Sequence, residues 1–160
     1  MTHPEVTVEL ASVSDAEPIA RMSRDLIEQG LGWSWTPLRV RRSIRDASTN
    51  VALALQGDSP VGFGIMKYRD DEAHLLLLAV APGLARQGIG SELVAWLEAA
   101  ARVAGIGQVY LEARFANAVG RAFYRRLGYA EIQTVPGYYA GVEASIRMAK
   151  DLWIEQPASA

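Results

Sequence analysis

The sequence predicts an α/β fold: a mixed sheet of about seven strands with about four helices packed on its two sides. Three observations carry this. Strand-like and helix-like periods alternate along all 160 residues. Leu75, Leu76, Leu77 and Leu78 run without alternation, as in a strand buried on both faces. A glycine-rich loop, Val80 to Gly90, then leads into an amphipathic helical pattern.

Taken in order, Val6, Val8 and Leu10 alternate with Thr7 and Glu9, which gives a first strand. Ser14 to Glu17 reads as a capping box for a helix reaching about Gln29, with Ile19, Met22, Leu26 and Ile27 inward. Gly30 stops it. Thr36-Pro37 starts a short second helix with a basic face, Arg41, Arg42 and Arg45, that reads as solvated surface. Asn50 to Gln56 and Val61 to Tyr68 are strands joined by the turn Gly57 to Pro60, and Glu72 to Ala81 is the next strand. From Gly88 the stripe Ile89, Leu93, Leu97, Ala101, widened by Val94, Trp96 and Ala100, is helical and ends at Gly105. Gln108 to Arg114 places Val109, Leu111 and Ala113 on one face and Tyr110, Glu112 and Arg114 on the other. Asn117 caps a helix with the stripe Val119, Phe123 and Leu127, closed by Gly128. Tyr129 to Thr134 and Ala144 to Leu152 are the last strands. Residues 1–155 are expected to form one domain, and residues 156–160 a frayed tail.

Half of the residues are hydrophobic and 21% are charged, with a formal net charge of -2. Such a balance gives no global field for nucleic acid. The chain has no cysteine, which excludes disulfides, thiolate metal sites and a cysteine nucleophile. His3 and His74 have no ligand spacing around them, so no metal is expected. No apolar run is long enough to span a bilayer, and the first residues lack the pattern of a signal peptide. The expectation is a cytoplasmic protein, monomeric or homodimeric, with no membrane partner.

The loop before the third helix points backbone N–H groups at one spot, with a helix dipole behind them, and so suits phosphate. It lacks the spacing of a P-loop or of the three-glycine dinucleotide fingerprint. A tight strand-to-helix turn would also account for it. A second segment decides between these readings. Ala85-Arg-Gln-Gly-Ile-Gly90 is followed by Asn117-Ala-Val-Gly-Arg-Ala-Phe-Tyr-Arg-Arg-Leu-Gly-Tyr129. Together the two segments resemble the pyrophosphate loop and the later site-closing helix of the GNAT superfamily of acetyl-CoA-dependent N-acetyltransferases. The element order matches over nearly the whole chain. Two positions depart from the family pattern: Ala85 stands where Arg or Gln is usual, and Gly120 where Ala is.

The resemblance implies a three-layer fold whose central sheet is splayed. It implies acetyl-CoA bound by the backbone of Leu78, Ala79 and Val80, by Arg86, Gln87, Gly88, Ile89, Gly90 and Ser91, and by Asn117, Phe123 and Tyr124. Tyr124 would protonate the leaving thiolate. Glu112 would be the base for the amine; a partly buried carboxylate with a raised pKa can take that proton directly or through water. The other reading of Glu112 is a structural carboxylate paired with Arg114 or Arg147. Trp33 and Trp35 on one loop, with Tyr138 and Tyr139 on another, are expected to wall the acceptor pocket; lid packing or a dimer interface would use the same aromatics. Leu-Glu-Ala-Arg114 and Gly137-Tyr-Tyr139 resemble the branch acting on ribosomal-protein and protein N-terminal alanine. The resemblance thus implies a primary amine as acceptor, with a protein or peptide N-terminus as the first reading. The alternatives are a small amine, an amino acid or an antibiotic, or a non-catalytic acyl-CoA sensor.

Overall fold

A computed structural model describes residues 5–84, 87–137 and 143–154. Seven strands form one sheet: β1 (Val6–Leu10), β2 (Thr49–Gln56), β3 (Ser59–Arg69), β4 (Glu72–Val80), β5 (Gln108–Arg114), β6 (Ala130–Val135) and β7 (Ser145–Asp151). Their order across the sheet is β1-β2-β3-β4-β5-β7-β6. The helices are α1 (Ala16–Leu26), α2 (Pro37–Arg45), α3 (Ile89–Val103) and α4 (Ala118–Arg126).

The helices begin where local chemistry lets them. Pro37 opens α2 behind Thr36, whose hydroxyl accepts from the Arg39 N–H at 3.3 Å. Asn117 caps α4 by accepting from the Gly120 N–H at 3.0 Å. The expected box at Ser14–Glu17 is displaced. A short 3₁₀ turn, Val13–Asp15, precedes α1, and the Asp15 carboxylate accepts from the Ser12 N–H at 2.8 Å. Glu17, inside the helix by then, pairs with Arg21 instead.

Two apolar layers cover the sheet. On one side Ile19, Ala20 and Val40 of α1 and α2 pack on Val51, Leu53, Phe63 and Ile65. On the other, Leu93, Val94 and Leu97 of α3 pack on Ala52, Ala54, Met66 and Leu75. Alternation along β2 and β3 sends successive side chains to opposite layers. Gly64 lets α3 lie close: a Cβ there would stand 2.9 Å from Leu97 Cδ1.

The sheet positions the site through two irregularities in β4. First, β4 pairs with β5 in parallel, and only through Glu72–Gln108, Ala73–Val109 and His74–Tyr110. Beyond that rung the strands part. Second, the register against β3 shifts between Ile65–Leu77 and Met66–Leu75, which leaves Leu76 as a bulged residue. A bulge bends and twists its strand. It turns Leu76 and Leu77 both toward the α1 side, at the start of the fork.

Candidate active site

The fork between β4 and β5 opens a cleft of about 520 Å³. Leu75 to Leu78 line one arm and Leu111 to Arg114 the other. Leu26 and Ile27 from the end of α1, and Asn117 and Tyr124 from α4, complete the wall. Where β5 no longer covers it, the β4 backbone from Leu75 to Val80 has one edge without a strand partner among the described residues. Leu78, Ala79 and Val80 lie on that edge.

Gln87, Gly88, Ile89, Gly90 and Ser91 lead into α3. Gly88 takes φ +83°, a left-handed conformation that other residues adopt at a cost. It supplies no side-chain cap. Among the described residues no side chain caps the first N–H groups of this 15-residue helix, which is the chemistry a phosphate answers. Phe123 closes over the same spot: a Cβ on Gly90 would lie 3.1 Å from its Cζ. The site therefore fits a phosphorylated, extended ligand running from the α3 N-terminus along the free edge of β4. Arg86, with Ala85, lies outside the described residues.

Tyr124 packs edge-to-face between Phe123, at 5.1 Å, and Tyr129, at 5.9 Å. Burial pushes its phenol up to about 12. Among the described residues nothing hydrogen-bonds its hydroxyl, which leaves that proton available to a ligand in the cleft. Tyr129 itself donates to the buried Glu98 at 2.8 Å, and Lys150 donates to the other Glu98 oxygen at 2.9 Å. This pair holds the back of the aromatic stack in place.

Glu112 faces the cleft, and both of its oxygens are engaged. Arg147 donates to one at 2.9 Å. His74 Nε2 lies 2.6 Å from the other. The His74 ring stacks on Tyr110 with centroids 4.3 Å apart. Arg147 is therefore the partner that sequence reasoning named as one of two, and His74 is one it missed. The signal was present only as the even spacing of His74 with Leu76 on a strand whose register with β5 the sequence does not give.

The expected aromatic wall is not assembled as foreseen. Trp35 is buried in the core under α1 and α2, with the Arg39 guanidinium 3.8 Å above its ring. Trp33 lies against the outside of α1 and donates to the Ala20 carbonyl at 3.1 Å. Neither lines the cleft; Leu26 and Ile27 do. The cause is Glu28. Its carboxylate accepts from the Ser34 N–H at 2.7 Å, the Trp35 N–H at 3.2 Å and the Ser23 hydroxyl at 2.8 Å, and this folds the loop back onto α1. Tyr138 and Tyr139 lie outside the described residues. Among the described residues no group of three His, Cys, Asp or Glu side chains could hold a metal ion.

Comparison with known proteins shows the family. A model of the acetyltransferase (GNAT) family matches residues 19–129. The ribosomal protein bS18 alanine N-acetyltransferase of Escherichia coli is 35% identical over 97 residues, 59% of this chain and 66% of that enzyme, just under two thirds of its length. The crystal structure of the S18-alanine N-acetyltransferase from Escherichia coli superposes with a TM-score of 0.81 at 24% identity, covering 98% of this chain and 99% of that one. Ard1 from Thermoplasma volcanium gives 0.79 at 25% identity, with 91% and 97% covered. The chain belongs to the GNAT acetyltransferase family.

Proposed function

We propose that this protein transfers the acetyl group of acetyl-CoA directly to a primary amine, and that the amine is the α-amino group of a protein or peptide N-terminus in the cytoplasm. One observation carries the reading. The fork in the sheet presents a carboxylate, Glu112, from β5 and a partly buried phenol, Tyr124, from α4 to the same cleft.

Bound acetyl-CoA supplies the thioester carbonyl that the amine attacks. The α3 N-terminus from Gln87 to Ser91 would hold its phosphates, joined by Arg86 as the family resemblance implies, and the free edge of Leu78, Ala79 and Val80, with Asn117 and Phe123, would align its arm. Glu112 accepts the proton of the attacking amine at a carboxylate oxygen. His74 and Arg147 fix the plane of that carboxylate. Tyr124 keeps a proton on its phenolic oxygen at neutral pH and delivers it to the departing sulfur. Hydrogen-bond donors placed where charge develops are the usual source of rate in such sites.

The peptide acceptor is favoured by the relatives. One is described as acting on a ribosomal protein's alanine. Another, from Sulfurisphaera tokodaii, is 34% identical over 82 residues, about half of each chain, and is described as an N-alpha-acetyltransferase. The apolar floor of Leu76 and Leu77, with Leu26 and Ile27 opposite, suits a small uncharged first side chain beside the amine.

The test is CoA release from acetyl-CoA with peptides beginning in Ala, Ser or Met, free amino acids, polyamines and aminoglycosides, with Tyr124→Phe as control. Turnover of the peptides that the control loses supports the reading. Turnover of a small amine alone replaces the acceptor class. Acetyl-CoA binding without turnover of any acceptor leaves an acceptor outside the panel or the sensor reading, and shifts the weight to the sensor.

A further inference from the structure

The net charge of -2 is an average, and one helix departs from it sharply. Four of the nine residues of α2 are arginine: Arg39, Arg41, Arg42 and Arg45. All four are exposed and share the solvent face of the helix with Leu38, because Val40 is buried and Ile44 turns into the core. On other helices Arg21, Arg24, Arg102, Arg121 and Arg125 each pair with a carboxylate, and Arg126 is the one helical arginine outside α2 with no ion pair among the described residues. Among the described residues, none of the α2 arginines is in an ion pair.

Local stability does not explain the pattern. Arg41 and Arg45 stand at i,i+4 and Arg42 and Arg45 at i,i+3, where like charges repel. Arg39 sits in the first turn, at the positive end of the helix dipole, and that turn has no acidic residue. Only Arg42 and Arg45, in the last turn, suit the dipole. The Arg39 guanidinium lies 3.8 Å above the Trp35 ring, so one charge of the array already has a cation–π partner.

We infer that the arginine face of α2 docks the phosphate backbone of a nucleic acid, for which an RNA duplex is the probe. Guanidinium groups meet phosphate oxygens in bidentate fashion, and a row of unpaired cations one helical turn apart matches a repeating polyanion. An anionic membrane fits less well: an interfacial helix buries an apolar face in lipid, and the apolar face of α2 is already spent on the core. An acidic protein fits less well too, since protein interfaces are anchored by buried aromatic or aliphatic residues. Here Leu38 alone, 51% exposed, stands among the charges. Among the described residues α2 contributes none to the lining of the Glu112 cleft. Docking would therefore leave the cleft open, and the inference does not depend on the acetyl-transfer reading.

The test is fluorescence anisotropy of a labelled RNA duplex titrated with the full chain, in a series of salt concentrations. Unlabelled polyglutamate and phosphatidylserine-containing vesicles serve as competitors. The expected result is binding that weakens steeply with salt. The variant R41A/R42A/R45A should lose about tenfold or more in affinity and show a salt slope flatter by about 1 for each arginine removed. Its thermal midpoint and its acetyl-CoA binding should match the parent. The inference is overturned by a parent that does not bind the duplex, by a folded variant that binds it equally well, or by polyglutamate or vesicles that displace RNA at lower concentration than unlabelled RNA does.

Discussion

His74 Nε2 and Glu112 Oε2 stand 2.6 Å apart across the mouth of the β4–β5 fork. His74 belongs to the last rung that joins the two strands, and Glu112 lies two residues beyond its partner Tyr110. The final point of order in the sheet therefore holds the first functional group of the cleft. Arg147 reaches the same carboxylate from β7, so strands on both sides of β5 fix its orientation.

Replacing the carboxylate tests the base. Glu112→Gln should lower kcat/KM by about 10²- to 10⁴-fold, the usual range for a positioned base. The deficit should be greatest below about pH 8, where an α-amine is mostly ammonium and needs its proton removed. A pH profile parallel to the parent's would remove Glu112 from that role. His74 acts through Glu112, so its variants should separate: His74→Gln keeps a donor to the carboxylate and loses less than His74→Ala. Equal losses in the two would mean that the imidazole takes up the proton itself.

Tyr124 gives a second, independent measurement. Burial raises its phenol to about 12, above the ordinary value of 10, so it stays protonated throughout a normal assay range. Tyr124→Phe should lower kcat and leave the acetyl-CoA dissociation constant nearly unchanged. The same shift bears on stability. A group whose pKa is raised on folding favours the fold below its unfolded pKa, and that contribution is lost as pH rises. For Tyr124 the loss falls between about 10 and about 12. Tyr129, raised by burial and by the Glu98 carboxylate, adds in the same direction. Denaturant midpoints should fall in that alkaline window, and fall less in Tyr124→Phe.

Much of this was legible in the sequence because it is local. The Asn117 cap, the two faces of β5 and the glycine after α3 rest on neighbours a few residues apart, where spacing is geometry. The glycine turn Gly105 takes φ +82°, as a helix stop requires. The His74–Glu112 pair joins residues 38 apart through a parallel register that no local period encodes. The bulge at Leu76 is equally silent in a run of four leucines. Trp35 reads as a loop aromatic free to wall a pocket, and only the donors that Glu28 collects reveal that the loop turns inward. Glu98 is a further case. Its place on the buried stripe of α3 is visible, but a buried carboxylate makes sense only once Tyr129 and Lys150 converge on it from other elements.

Glu28 should behave as a structural acid whose loss is felt in the cleft. Burial raises its carboxyl, but the donors from Ser34, Ser23 and Trp35 outweigh burial and hold it below the usual carboxylate value. Its contribution is thus present above about pH 4.5 and lost as pH falls through the lowered value. Glu28→Ala should cost about 2–3 kcal/mol, since it strands the Ser34 and Trp35 N–H groups. The released loop adjoins Ile27, which lines the cleft. The acceptor KM should therefore rise while acetyl-CoA binding holds. Equilibrium unfolding together with acceptor titration decides it: a variant as stable as the parent would show that the network is not what folds the loop.

Gly90 ties the α3 N-terminus to the acid. A Cβ there would stand 3.1 Å from Phe123 Cζ and 3.4 Å from its Cε1, so the ring must yield by a few tenths of an ångström. The ring is the end of a side chain on a short helix, and alanine gains about 1 kcal/mol of helix propensity over glycine, so Gly90→Ala should leave stability nearly unchanged. Phe123 packs edge-on against Tyr124, and its displacement moves the phenol. Gly90→Ala should therefore lower kcat and weaken acetyl-CoA binding at an unchanged melting temperature. Gly90→Val, which adds bulk that the ring cannot clear, should destabilise by about 1–3 kcal/mol as well. Kinetics that stay at the parent's level in Gly90→Ala would mean that Phe123 moves without carrying Tyr124, and that the aromatic stack is looser than its 5.1 Å and 5.9 Å spacings imply.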